Sequence, residues 1–160
     1  MRGLLIVFIL VIGVGGMALP TYAASHSIVD IQARLYYHET GTFDDASIIE
    51  TVVHNATIGE GVAKSPSATT LVLVKIEGKW AHINSALRLR VTVGWDGNDP
   101  PLVKQVVRLD KFFTEKNHIW VPVVAVGTGC GLTRIKAELI DKGGTAQSTM
   151  TKSIPFECGE

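Results

Sequence analysis

Two imidazoles and a carboxylate, His38, His54 and Glu60, are residues of types that could form a reactive centre. Such a set can ligate zinc, and it can equally divide acid and base roles between its members. A strand framework that brought the three together near one end would make the one metal or acid–base site worth considering. The spacing itself offers little help. The five histidines, His26, His38, His54, His82 and His118, are scattered, and no two lie three or four residues apart. His38-Glu39 approaches the His-Glu-x-x-His pattern, but nothing follows at ligand spacing. Gly-x-Ser-x-Gly and a Gly-rich phosphate loop ending in Lys-Ser or Lys-Thr are absent. The leading expectation is therefore a protein that is not an enzyme and has no catalytic residue, metal or cofactor. A metal-binding protein or hydrolase using His38, His54 and Glu60 is the alternative.

The sulfur chemistry points to structure. Cys130 and Cys158 are the only cysteines, with no Cys-x-x-Cys and no His at metal-finger spacing. A copper site of the blue type needs His and Met soon after its Cys, whereas Cys130 is followed by Gly-Leu-Thr-Arg. In an oxidising compartment the pair is expected to form a disulfide. Closing that loop would stabilise by about 3–4 kcal/mol in the chain-entropy model.

The beginning of the chain specifies such a compartment. Arg2, the apolar run Leu4 to Val14 interrupted only by Gly13, and Thr21-Tyr22-Ala23 form the three parts of a secretory signal peptide. A spanning helix needs about 20 apolar residues, and this core is shorter and stops at Pro20. The expected organisation is a signal peptide over 1–23 and one domain over 24–160, periplasmic or secreted, with no membrane span after cleavage. The whole chain carries 15 basic and 15 acidic residues, well mixed along its length. Loss of Arg2 leaves a net charge near −1, which offers no electrostatic case for nucleic acid or an anionic membrane.

The remaining sequence reads as strands. ALRLRVTVGW alternates, with Leu87, Leu89, Val91, Val93 and Trp95 inward and Arg88, Arg90 and Thr92 outward. Val29, Ile31, Ala33, Leu35 and Tyr37 form the apolar face of Ile28 to His38. The continuous run Leu71 to Ile76 suggests a strand covered on both faces. Val103 to Leu109, Ile119 to Val126, Thr133 to Ile140 and Thr145 to Phe156 complete about seven strands. They predict an all-β, immunoglobulin-like sandwich of two antiparallel sheets. Asp141-Lys142-Gly143-Gly144 is a hairpin turn signal. It brings Cys130 and Cys158 to the open end of the last hairpin, with a bulge absorbing the unequal arms. Thr42-Phe43-Asp44-Asp45 has capping-box spacing, and Ile48, Ile49, Val52 and Val53 follow at helical spacing. This predicts one short helix over Asp44 to Val53.

Two features remain as contact regions. Asn55 to Thr70 has no periodicity and exceeds the usual length of an unstructured loop in a compact domain. In it, Gly59-Glu60-Gly61 would present Glu60 on a sharp turn, and Asn55-Ala56-Thr57 matches a glycosylation acceptor. The loop either makes contacts or covers a sheet edge. Pro122 within Ile119 to Val126 predicts an edge strand or a bulge. Trp120, Val124 and Val126 then share an outward apolar face. His54, Glu60 and Trp120 are the candidate contact residues. The expected function is binding of an unknown protein or extracellular ligand, with a structural or assembly subunit as a further alternative.

Overall fold

The computed structural model describes residues 26–54, 63–78, 80, 87–95, 97, 99–112, 114 and 116–157. The expected signal peptide, Asn55, Glu60 and Cys158 lie outside them. The chain forms strands β1 (Ser27–Tyr37), β2 (Thr42–Phe43), β3 (Val53–His54), β4 (Thr69–Glu77), β5 (Arg88–Trp95), β6 (Val103–Arg108), β7 (His118–Val126), β8 (Gly131–Ile140) and β9 (Ala146–Glu157). A 3-10 turn, Leu109–Lys111, follows β6.

Two sheets result. One has the order β2-β1-β4-β7 and the other β3-β9-β8-β5-β6. All pairings are antiparallel except β3 with β9, which makes the second sheet mixed. Strand alternation drives both sheets toward one shared core. Ile31, Leu35, Val72, Val74 and Val121 come from the first sheet, and Leu89, Val91, Ile135, Leu139 and Ile154 from the second. All belong to one buried apolar cluster. Burying each such side chain contributes about 1.5–3 kcal/mol, so this layer supplies the main force for folding. Strand β1 packs over β9, and the Ile28 amide donates to the Ser148 hydroxyl between the sheets at 3.1 Å.

Some inward assignments shift. The β1–β4 register slips between Ile28 and Asp30. Ile28 is consequently buried, while Val29, expected inside, is 38% exposed. One extra residue reverses the parity of a strand beyond it. Trp95, also expected inward, lies at the end of β5 and is exposed. Strand β4 is not covered on both faces: Val72, Val74 and Ile76 are fully buried, whereas Leu71 and Leu73 are only partly so on the outer face.

The predicted helix over Asp44 to Val53 does not form. Its place is taken by a segment that passes from one sheet to the other. The Asp44 amide donates to the Leu35 carbonyl (2.9 Å) and the Ile48 amide to the Ala33 carbonyl (2.8 Å), both on β1. The Glu50 amide then donates to the Ser153 carbonyl on β9 (3.0 Å), and Val53 pairs with Phe156. Helical spacing would place Ile48, Ile49, Val52 and Val53 on one face, but here Ile48 and Val53 are buried while Val52 is exposed. Sheet partners satisfied the backbone groups that a helix would have paired internally, and the β-branched residues favoured that outcome.

The last hairpin follows its turn chemistry. The Asp141 carboxylate accepts the Thr145 amide (2.9 Å), and Gly144 has φ +85°. Between Leu139 and Ile140 the β8–β9 register shifts by one residue, which is a bulge that evens the arms. Gly131 faces Phe156 at the open end, and Cys130 precedes that rung.

Candidate functional site

Strand β7 is the end strand of its sheet, and its alternation is clean. Ile119, Val121, Val123 and Ala125 are buried, while Pro122, Val124 and Val126 are exposed and Trp120 is half-buried. Register places Val124 opposite Leu71, Pro122 opposite Leu73 and Trp120 opposite Lys75. Directly opposed side chains lie about 5 Å apart. The outer face of β4 and β7 thus carries a continuous apolar strip of Leu71, Leu73, Trp120, Pro122, Val124 and Val126. Val124 and Val126 remain 50% and 66% exposed. Leu71 and Leu73 were not foreseen as members, because a continuous apolar run conceals which of its residues face outward.

The edge itself has a defined polarity. The Asn117 carbonyl accepts the Gly78 amide (2.9 Å), and the Gly127 amide donates to the Ala68 carbonyl (2.7 Å). The β4–β7 register is unbroken between these points. Odd-numbered residues of β7 therefore turn their backbone groups toward β4, and even-numbered ones toward the free edge. Pro122 is even-numbered, so its missing N–H is one that would have pointed outward. It costs the sheet no ladder bond and removes the central donor from the exposed edge, a common way to discourage edge-to-edge pairing.

The histidines occupy separate surroundings. His38 follows β1 in the first sheet, exposed, with Nε2 3.2 Å from the Thr69 hydroxyl. His54 lies in β3 of the second sheet, with Nε2 3.5 Å from the Glu157 carboxylate. Its Nδ1 is buried with no hydrogen-bond partner. Glu60 lies outside the described residues, as does most of the long loop. Among the described residues no group of three or more His, Cys, Asp and Glu side chains could hold a metal ion.

The described part of the loop is tied down. The Ser67 hydroxyl donates to the Tyr36 carbonyl (2.7 Å), and the Lys64 amide donates to the Tyr37 hydroxyl (3.1 Å). Tyr37 in turn donates to the Asp44 carboxylate at 2.6 Å. Burial, reinforced by that carboxylate, pushes the Tyr37 phenol up to about 12. Lys64 Nζ lies 3.2 Å from Asp44. This cluster holds the crossing segment and the loop against the end of β1. Its members are committed to one another, so it acts as a structural clamp.

Beside the clamp, the corner between β7 and β8 runs through Gly127, Gly129, Cys130 and Gly131, all at positive φ. The Thr128 and Thr70 hydroxyls pair beneath it at 2.7 Å. Cys130 is not a free thiol. An open depression of about 550 Å³ is lined by Pro66, Ser67, Ala68 and the corner from Gly127 to Cys130, none of which supplies an acid or a base. No known protein family model matches this chain, and no curated protein matches it.

Proposed function

We propose that this is an exported, non-enzymatic immunoglobulin-like β-sandwich that binds a protein partner through the outer apolar strip of β4 and β7. The contiguity of exposed Val124 and Val126 with half-buried Trp120, Leu71 and Leu73 carries the reading. Isolated apolar residues are normal on a surface, but a contiguous strip at a sheet edge is a common feature of contact sites. The strand order supports the architecture. The first, second and fifth long strands share one sheet, and the third, fourth, sixth and seventh share the other. The immunoglobulin arrangement likewise puts its first, second and fifth strands in one sheet and its third, sixth and seventh in the other, whereas the fourth long strand here lies beside the third. The Cys130–Cys158 disulfide belongs to this proposal, closing the open end of the β8–β9 hairpin. Pro122 disfavours strand addition, so the partner contacts side chains of the face.

The test is purification from the native export compartment without reductant, followed by native mass spectrometry. Wild type should retain a stoichiometric partner, and Val124→Asp/Val126→Asp should lose it while keeping the same β-sheet circular dichroism. A partner retained equally by both proteins, or a wild type that is always bare, would reject the strip as the contact site.

A further inference from the structure

The charges that are well mixed along the sequence are not mixed in space. Strand β5 directs Leu89, Val91 and Val93 into the core, which turns Arg88, Arg90 and Thr92 outward. Register then aligns Lys104 of β6 and Lys136 of β8 with Thr92, and Arg108 of β6 with Arg88. Arg134 of β8 shares the same outer face, opposite Gly94. Three neighbouring strands therefore carry six cations outward against one carboxylate, Glu138.

The pairing works against the stability of the free protein. Arg88 lies directly opposite Arg108, and like charges in directly opposed positions destabilise a sheet. Some charge is relieved locally: Arg90 and Lys136 contact Glu138 at 3.4 and 2.9 Å, and Arg108 pairs with Asp110. Arg88 and Lys104 have no ion-pair partner among the described residues, and both are exposed. A local rule broken with only partial compensation within the fold is expected where a surface serves a ligand.

We propose that the outer face of β5, β6 and β8 binds an acidic polysaccharide, with Arg88, Lys104 and Lys136 as its principal cations. Charge complementarity sets the sign of the ligand. The patch is a plane of cations about 5 Å apart between strands and about 7 Å apart along them, which suits a polymer of repeated anions better than a single small one. Hydroxyls favour a glycan. Thr92 lies between Lys104 and Lys136, and Thr149, Thr151 and Ser153 of β9 extend the same face opposite Glu138, Lys136 and Arg134. Trp95 is exposed but stands alone at the end of β5, off the parity of the outward positions, so no row of rings is available, whereas single-stranded nucleic acid is held largely by stacking of successive bases. Val106 stands alone between Lys104 and Arg108, and Trp95 and Leu132 lie together beyond the cations at the end of β5 and the start of β8, so the patch itself carries no apolar ridge to enter a bilayer.

The experiment measures binding of the intact protein to heparin at about 50 and about 200 mM salt, where release of counterions makes such contacts salt-dependent. Oligothymidylate and phosphatidylserine vesicles serve as competing polyanions. Arg88→Gln/Lys104→Gln should weaken heparin binding by about tenfold at the lower salt and flatten its salt dependence. Lys75→Gln/Lys116→Gln, with the same change in charge away from this face, should leave it unchanged. Glu138→Gln should tighten binding, a gain that damage to the fold could not produce. Absence of binding, equal losses in both double variants, or tighter binding to oligothymidylate or vesicles than to heparin would overturn the proposal. Arg88, Lys104 and Glu138 lie on the other sheet from the β4–β7 strip, so the protein-partner proposal stands or falls separately.

Discussion

The Tyr37 hydroxyl donates to the Asp44 carboxylate across 2.6 Å in a buried contact. It fastens the last residue of β1 to the segment that crosses to the opposite sheet. Asp44 looks in sequence like part of a helix cap, and in the fold it is the acceptor at the centre of a tertiary clamp. Both the loop amide of Lys64 and its ammonium group join the same cluster.

Removing that acceptor should be costly. Asp44→Ala leaves the Tyr37 hydroxyl buried without its partner, and such a loss costs about 1–3 kcal/mol, readable as a lower urea midpoint. The phenol has a pH signature as well. Its folded value of about 12 lies above the ordinary 10.0, so the folded state favours the protonated form. That stabilisation is complete below pH 10 and is lost as pH rises toward 12. Ultraviolet difference titration should show one late-ionising tyrosine in wild type and none in Tyr37→Phe.

Glu138 predicts the opposite limb of the pH profile. The Lys136 hydrogen bond and charge, aided by Arg90, hold its carboxyl below its ordinary 4.5 against the opposing effect of burial. A carboxylate depressed in the folded state contributes stability above its unfolded pKa, and loses it as pH falls through the folded one. Lys136→Gln should therefore raise the Glu138 titration midpoint in carboxyl-resolved NMR and lower stability above about pH 4.5, a deficit that shrinks as pH falls through the folded midpoint. An unmoved midpoint would remove Lys136 as the cause.

Pro122 predicts association behaviour. Pro122→Val restores an amide directed at the free edge of β7 while keeping a residue suited to strands. The variant should fold as wild type does and form concentration-dependent oligomers in analytical ultracentrifugation. A variant as monomeric as wild type would show that the missing donor does not protect this edge.

Alternation was enough to locate a strand such as β5, because the period-two placement of Leu89, Val91 and Val93 is a local property of the chain. Turn chemistry located the β8–β9 hairpin for the same reason: Asp141 caps its own neighbourhood. Pro122 marked an end strand because its missing donor is tolerated where no neighbour needs it. Residues 44–53 misled because apolar spacing over ten residues fits a helix and a crossing strand segment alike. Hydrogen bonds to Leu35, Ala33 and Ser153, distant in the chain, decided between them.

The sequence by itself determined which residues seek a core and where the chain turns, since both follow from side-chain period and local backbone preference. Only the tertiary structure decided which strands are neighbours and in what register. That pairing turned an evenly mixed set of charges into a basic face through the alignment of Arg88 with Arg108 and of Thr92 with Lys104 and Lys136. It also joined Leu71 and Leu73 to Trp120 and Val124 in one apolar strip. Register depends on contacts between distant segments, and a single residue of slip, as at Val29, exchanges the two faces of a strand.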